Sequence, residues 1–312
     1  MSEQFFFARH TDRPDKSDSP ESQQYEWITE KGVEIAQKAA KNVVEMVEAA
    51  AADAVIFIGG STEEQRTKST AQVIGDALAV KYAEDPNVTV LTYSQIESLR
   101  KAEDKPEEFK ILNEVKRILD ENADKKVVID YPLFLKGFSL RPHFRDQSGV
   151  VTELSRKTVN SARQEYAEEL ANVDTTEDPN LRMKEEEAAG AKVYMKMQDT
   201  DEAHALGGQT PQEYAEAQLR DINRLRTFVK NQVGGRETVV GFVGHAWTLD
   251  ALAAYLANSG EANYEGFQET GERMIQLAEM GKVVINEEEA VLTYRGEDYN
   301  IPTEMVNLRR KE

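Results

Sequence analysis

The sequence predicts an α/β fold, a three-layer sandwich with a mostly parallel central sheet and a largely helical insertion, or cap, over the C-terminal ends of the strands. Three observations predict it. Short continuous apolar runs alternate with stretches of helical periodicity over the first hundred residues, the rhythm of strand–helix–strand units. That rhythm returns after about residue 207, with a further apolar run and two more helical stretches. Between them lies a charge-rich segment without it, which the layered core has to accommodate as an excursion.

Ser2 to Ala8 reads as the first strand, and the polar, proline-containing stretch from Arg13 to Glu26 as a loop. A helix opens at Trp27-Ile28-Thr29 and carries apolar residues at helical spacing through Val33, Ala36, Ala40, Val43, Val44 and Val47. Ala54 to Ile58 has the pattern of a strand buried on both faces, followed by the turn Gly59-Gly60-Ser61. The next helix holds Arg66, Thr70, Ala71, Val73, Ile74 and Leu78, and Val88 to Tyr93 is a third strand with Glu97 just beyond it. From Ser98 to Ala205 the chain is read as the cap, inserted within a single domain spanning residues 1–312. Acidic runs there, such as Lys184-Glu185-Glu186-Glu187, are read as solvated helix faces.

The core resumes at Thr210-Pro211-Gln212-Glu213, where Thr210 and Glu213 form a capping-box pattern and Pro211 suits the first helical position. A helix to about Val233 leads to a strand ending at Val243, and another helix follows from about Trp247 to Asn258. Val283 to Asn286 and Ala290 to Tyr294 read as a strand hairpin at one edge of the sheet.

Composition narrows the functional classes. The formal charge of −19, from 57 acidic against 38 basic residues, argues against nucleic acid or an anionic membrane as partner. The chain has no cysteine, so disulfides, zinc thiolates and a thiol nucleophile are excluded. The N-terminal region has no basic segment followed by a long apolar stretch, and no apolar run approaches the ~20 residues of a membrane span. The expectation is a cytoplasmic protein. Oligomeric state is not legible.

The phosphate expectation comes from two strand ends. Phe5-Phe6-Phe7-Ala8 runs directly into Arg9-His10-Thr11-Asp12-Arg13-Pro14-Asp15, and Thr238 to Val243 runs into Gly244-His245-Ala246. In parallel sheets ligands bind beyond the carboxyl ends of the strands. The guanidinium fork matches oxyanion oxygens two at a time, and imidazole is a competent nucleophile near neutral pH. A second histidine, if protonated, would add positive charge where negative charge builds during transfer.

These segments resemble the histidine phosphatase superfamily, the phosphoglycerate-mutase-like fold. Its opening Arg-His-Gly is similar to Arg9-His10-Thr11, and one phosphatase subset extends it to Arg-His-Gly-Glu-Arg-x-Asp, which Arg9 to Asp15 resembles with its second arginine. Ile28-Thr29-Glu30-Lys31-Gly32 is similar to the family's Leu-Thr-x-x-Gly, Arg66 to Ala71 to its Arg-Ala-x-Gln-Thr-Ala, and Val243 to Ala246 to its late apolar-His-Gly. Thr11 and Ala246 stand where the family has glycine, and Ser61 to Gln65 replaces its usual approach to the second arginine.

The resemblance implies His10 as a nucleophile that becomes phosphohistidine, Arg9, Arg13 and Arg66 as the phosphate clamp, and His245 as an assisting group. It also implies a carboxylate that protonates the leaving oxygen, a place that Glu97 fits. Arg141, His143 and Arg145 in the cap are candidate contacts to the rest of the substrate. The implied activity is metal-independent phosphomonoester hydrolysis of a small phosphorylated substrate, with no cofactor and no metal. A catalytically degenerate protein that only binds a phosphorylated ligand, and a phosphoglycerate-type mutase, are the alternatives.

Overall fold

The computed structural model describes residues 3–61, 64–102, 111–131, 151–176, 180–233, 235–286 and 289–306. The first half is built from β1 (Glu3–Arg9), α1 (Glu30–Ala49), β2 (Val55–Gly60), α2 (Gln65–Lys81), β3 (Val88–Leu91), α3 (Tyr93–Ala102), α4 (Ile111–Glu121) and β4 (Lys126–Asp130). A helical excursion follows, with α5 (Glu153–Glu165), α6 (Ala167–Ala171), α7 (Leu181–Met195) and α8 (Thr200–Ala205). The chain then returns through α9 (Pro211–Val233), β5 (Thr238–Gly244), α10 (Ala246–Ala257), α11 (Tyr264–Glu269), β6 (Met280–Ile285), β7 (Ala290–Tyr294), β8 (Glu297–Ile301) and α12 (Thr303–Val306).

The strands form one eight-stranded sheet in the order β3-β4-β2-β5-β1-β6-β7-β8. The first five run parallel, and the last three extend the sheet antiparallel from β1. With helices on both faces this is the three-layer α/β sandwich that the sequence predicts. No helix among the described residues is long and apolar enough to cross a membrane.

Alternation along β1 divides the core between the two faces. Phe5 and Phe7 join α9 and α10 through residues such as Leu219, Ile222, Leu249 and Leu252, while Phe6 joins α1 and α2 through Val43, Val47, Ile74 and Leu78. Two of the three phenylalanine rings, Phe6 and Phe7, need room beside their own strand, and the neighbouring strands supply it. Gly241 of β5 stands opposite Phe6, and Gly281 of β6 stands opposite Phe7. A Cβ at either glycine would run into the ring of its partner.

The excursion is shorter than the sequence suggests. β4 lies inside the 98–205 interval yet sits in the sheet between β2 and β3, and Val115, Ile118 and Leu119 of α4 belong to the main core. A strand of only five residues that itself begins at Lys126 and ends at Asp130, after Asp124-Lys125, is hidden in a charged background, although Val127, Val128 and Ile129 are fully buried. The capping box takes its expected form: Thr210 N–H donates to Glu213 Oε2 at 3.0 Å and Glu213 N–H donates to Thr210 Oγ1 at 3.3 Å.

Gly241→Ala should therefore destabilise the fold by about 1–3 kcal/mol through overpacking against Phe6. A urea midpoint unchanged from the native protein, at unchanged slope, would show that the Phe6 ring relaxes freely and that this contact is not a constraint.

Candidate active site

Three adjacent strands deliver the site. β1 and β5 pair in parallel with Arg9 opposite Gly244, so the residues that follow, His10 and His245, leave the sheet side by side. The pairing continues one step beyond the strands, where His10 N–H donates to the Gly244 carbonyl at 3.0 Å. The two imidazoles lie with ring centroids 5.2 Å apart, inclined at 62°. On the other side of β5, β2 feeds through Ser61 into α2, whose first turn carries Arg66. Arg9, His10, Arg13, Arg66 and His245 all line one cavity of about 460 Å³.

His10 is buried, and burial first, then the charges of Arg66, His245 and Arg9, holds its imidazole well below the usual histidine range. It is thus neutral at physiological pH. Its Nδ1 lies 2.8 Å from the Thr11 carbonyl oxygen. A carbonyl only accepts, so Nδ1 carries the proton and Nε2 keeps its lone pair. His245 is set the other way: its Nδ1 accepts from Arg66 Nη2 at 3.1 Å, which leaves the imidazole proton on Nε2 as a donor. While that bond holds, His245 is neutral, and the positive charge beside it belongs to Arg66 rather than to a protonated imidazole.

The arginines are individually braced. Arg9 Nη1 donates to the Ile275 carbonyl at 2.8 Å, and burial lowers its guanidinium to about 10, still cationic at neutral pH. The Ile275 amide in turn donates to Asp250 Oδ1 of α10 at 2.9 Å, so a buried carboxyl sets the loop against which Arg9 rests. Burial pushes Asp250 up to about 7, against the pull of the Ile275 amide and the charges of Arg295 and Arg9. Arg13 Nε lies 3.2 Å from Asp15 Oδ1, so the last residue of the opening motif steadies the second guanidinium.

Where the family has glycine, Thr11 is fully buried. Its N–H donates to Thr70 Oγ1 at 3.1 Å, its hydroxyl lies 3.3 Å from the same atom, and Thr70 donates onward to the Arg66 carbonyl at 2.8 Å. Gly32 makes room: a Cβ there would meet the Asp12 carbonyl at 2.7 Å and Thr11 Oγ1 at 3.1 Å. Thr29 closes this corner by donating its hydroxyl to Asp12 Oδ2 at 3.0 Å and accepting from Gly32 N–H at 2.9 Å, as the N-cap of α1. For that reason α1 begins at Glu30, and Trp27 before it is exposed in a left-handed turn.

Glu97 is not brought to the cavity. Its carboxylate, on α3, accepts from Arg100 Nη2 at 2.7 Å and from the Tyr131 hydroxyl at 3.3 Å. The intervening β4 moves β3 to the sheet edge, three strand spacings or about 14 Å from β5. The acidic residues that do line the cavity are Asp12, Glu185 and Glu187. Glu187 comes from the run read as a solvated face. Glu186 of that run faces outward to Arg163 at 2.9 Å, whereas Glu187 turns inward to 3.6 Å from Arg9 Nη2 and 3.9 Å from Arg13 Nη2. The signal was helical spacing: Gly190, Ala191 and Tyr194, three, four and seven residues beyond Glu187, are small or apolar and are buried on the same face of α7. Arg141, His143 and Arg145 lie outside the described residues.

No family model and no curated protein matches the chain. Among solved structures it is similar to a protein described as mycobacterial hydrolase 2, at 14% identity over 98% of this chain and 95% of that one, with a TM-score of 0.44. It is also similar to a mycobacterial glucosyl-3-phosphoglycerate phosphatase, at 14% identity over 90% and 89%, with a TM-score of 0.39. At that level of likeness the assignment rests on the chain's own residues.

His10 should titrate well below the ordinary value of about 6.5. As pH falls below that value the unfolded chain takes up a proton that folded His10 does not, so this histidine's contribution to stability is full above pH 6.5 and declines on acidification. Imidazole ¹⁵N resonances would report it, and a His10 midpoint near 6.5 would contradict the buried, neutral assignment. Three of the four motifs line this cavity and the fourth braces it through the bond from Thr29 to Asp12, and in its three-layer fold and in the placing of those motif residues the chain resembles the histidine phosphatase superfamily.

Proposed function

We propose that this protein is a phosphomonoester hydrolase that works without a metal ion and passes through a phosphohistidine at His10. One observation carries the reading. A buried, neutral imidazole whose Nδ1–H is held by the Thr11 carbonyl keeps an Nε2 lone pair, and it lines a cavity with three guanidiniums.

The chemistry follows from the atoms. A phosphate ester entering the cavity places its non-bridging oxygens on Arg9, Arg13 and Arg66, whose forks supply charge-assisted bonds. His245 Nε2–H adds a donor, and so does the first turn of α10, where Ala246, Trp247 and Thr248 line the cavity and helix N–H groups lack internal partners. Nε2 of His10 attacks phosphorus, the bond to the ester oxygen breaks, and water then releases phosphate from the imidazole. The preformed positive field matches the charge that develops on the transferring group. The substrate is read as a small phosphorylated molecule whose non-reacting part meets Val151, Leu181 and Met183 of the cap and Met274 and Leu277 of the opposite wall. The net charge of −19 and the absence of cysteine support a cytoplasmic setting and a small anionic ligand gathered at this one basic cavity.

Turnover of para-nitrophenyl phosphate with EDTA present, abolished in folded His10→Ala, is the expected result. Binding of phosphate without any turnover would instead identify a protein that only holds a phosphorylated ligand. Arg66→Ala should lower kcat/KM by about a hundredfold, or about 3 kcal/mol, by comparison with loss of one oxyanion donor. Arg66→Lys should recover only part of it, because lysine lacks the fork and the bond to His245 depends on it.

A further inference from the structure

We propose that Glu187, supplied by the cap helix α7, is the proton donor to the leaving oxygen and then the base for water; this rests on the phosphohistidine reading above. The geometry points to it by position. Among the described carboxylates lining the cavity, Asp12 is engaged by the Thr29 hydroxyl through Oδ2, and Glu185 is exposed. Glu187 lies within 4 Å of two guanidiniums of the phosphate clamp, 3.6 Å from Arg9 and 3.9 Å from Arg13. Its side chain keeps 29% of its exposure, enough to exchange protons with solvent.

The helix that carries it is fixed rather than loosely laid over the site. Trp247, two residues after His245, donates its indole N–H to the Glu187 carbonyl at 3.0 Å and stacks on Tyr194 with ring centroids 6.0 Å apart. Gly190 sits against the indole so closely that a Cβ would collide with it. The backbone of Glu187 is thus tied to the segment that positions the second histidine. A proton donor needs this kind of support, since transfer depends on reach within hydrogen-bond distance.

Substrate binding itself would load the proton. The carboxylate faces Arg9 and Arg13, whose charges favour its ionised form. When a phosphoryl group takes those forks, Glu187 loses cationic partners and gains a negative neighbour, and both changes favour the protonated form. Protonated Glu187 then gives its proton to the ester oxygen as the P–O bond breaks and the bond from His10 Nε2 to phosphorus forms, so the alcohol leaves neutral. In the second half the Glu187 carboxylate takes a proton from water as the water oxygen bonds phosphorus. The P–N bond breaks and returns its electron pair to Nε2. Ester and water become alcohol and phosphate, with no further co-reactant.

The test compares native protein, His10→Ala, Glu187→Gln and Glu97→Gln, each verified as folded by circular dichroism, with para-nitrophenyl phosphate in rapid-mixing experiments. A nitrophenolate leaving group needs little protonation, so Glu187→Gln should still release one equivalent of nitrophenol in a burst. Steady turnover should then be slower by a hundredfold or more, with phosphate trapped on the enzyme and the base-dependent limb of the pH profile lost. Glu97→Gln should match the native protein. Native steady-state rates in Glu187→Gln, or a loss confined to Glu97→Gln, would overturn the assignment while leaving the phosphohistidine reading intact. So would a raised KM without trapped phosphate, which would mark Glu187 as a brace for the arginines only. Absence of His10-dependent turnover in the native protein would overturn both.

Discussion

The parallel pairing of β1 with β5 is the constraint on which the rest of the site depends. Its register puts Arg9 opposite Gly244, and two histidines separated by 235 positions in sequence leave the sheet as neighbours. A one-residue slip would move Phe6 away from Gly241 and turn each β1 side chain to the opposite face. The register is therefore locked by packing well inside the sheet, and the reactive ends inherit a precision they could not generate themselves. The same ladder, extended across β2, brings in Arg66 through the first turn of α2.

Gathering cations in a buried place is unfavourable unless each is held, because desolvation of an ion costs several kcal/mol. The structure distributes the support. Arg9 rests on a carbonyl that belongs to a loop fixed by Asp250, Arg13 on Asp15, and Arg66 on the imidazole it orients. Behind Asp250, the partly exposed Glu279 and the buried Arg295 form a further pair at 3.0 Å, and Arg295 also donates to backbone carbonyls around the 270–273 turn. The loop that receives Arg9 is consequently bonded from both sides. An orientation network of this kind holds each guanidinium in place at the cavity wall.

The sequence made legible what depends on local pattern and order: the alternation of strand and helix, both histidines at strand ends, and the three arginines that converge. Packing inside the sheet was not legible. β4 is five residues in a charged setting, and it lies between β2 and β3, which carries Glu97, the proton donor that the family resemblance implied, away from the cavity. The run Lys184 to Glu187 shows the complementary difficulty. Composition speaks for the whole run, but a helix turns about 100° per residue, so adjacent glutamates in one run meet different environments. Only the buried residues at helical spacing from Glu187, namely Gly190, Ala191 and Tyr194, mark its side as the inward one. Thr11 illustrates a third limit, since the space and hydrogen bonding that accommodate its side chain come from Gly32 and Thr70, residues distant in sequence.

The docking of α7 on Trp247 has an optical consequence. The chain has two tryptophans, and they occupy opposite environments: Trp27 is 57% exposed in a surface turn, while Trp247 is sandwiched between the cap and the strand end that carries His245. Intrinsic emission is thus divided between a solvent-relaxed fluorophore and a shielded one two residues from His245. Replacing Trp27 with phenylalanine leaves a single native reporter at the junction of cap and core, so the seating of the cap can be followed in real time without attaching a label.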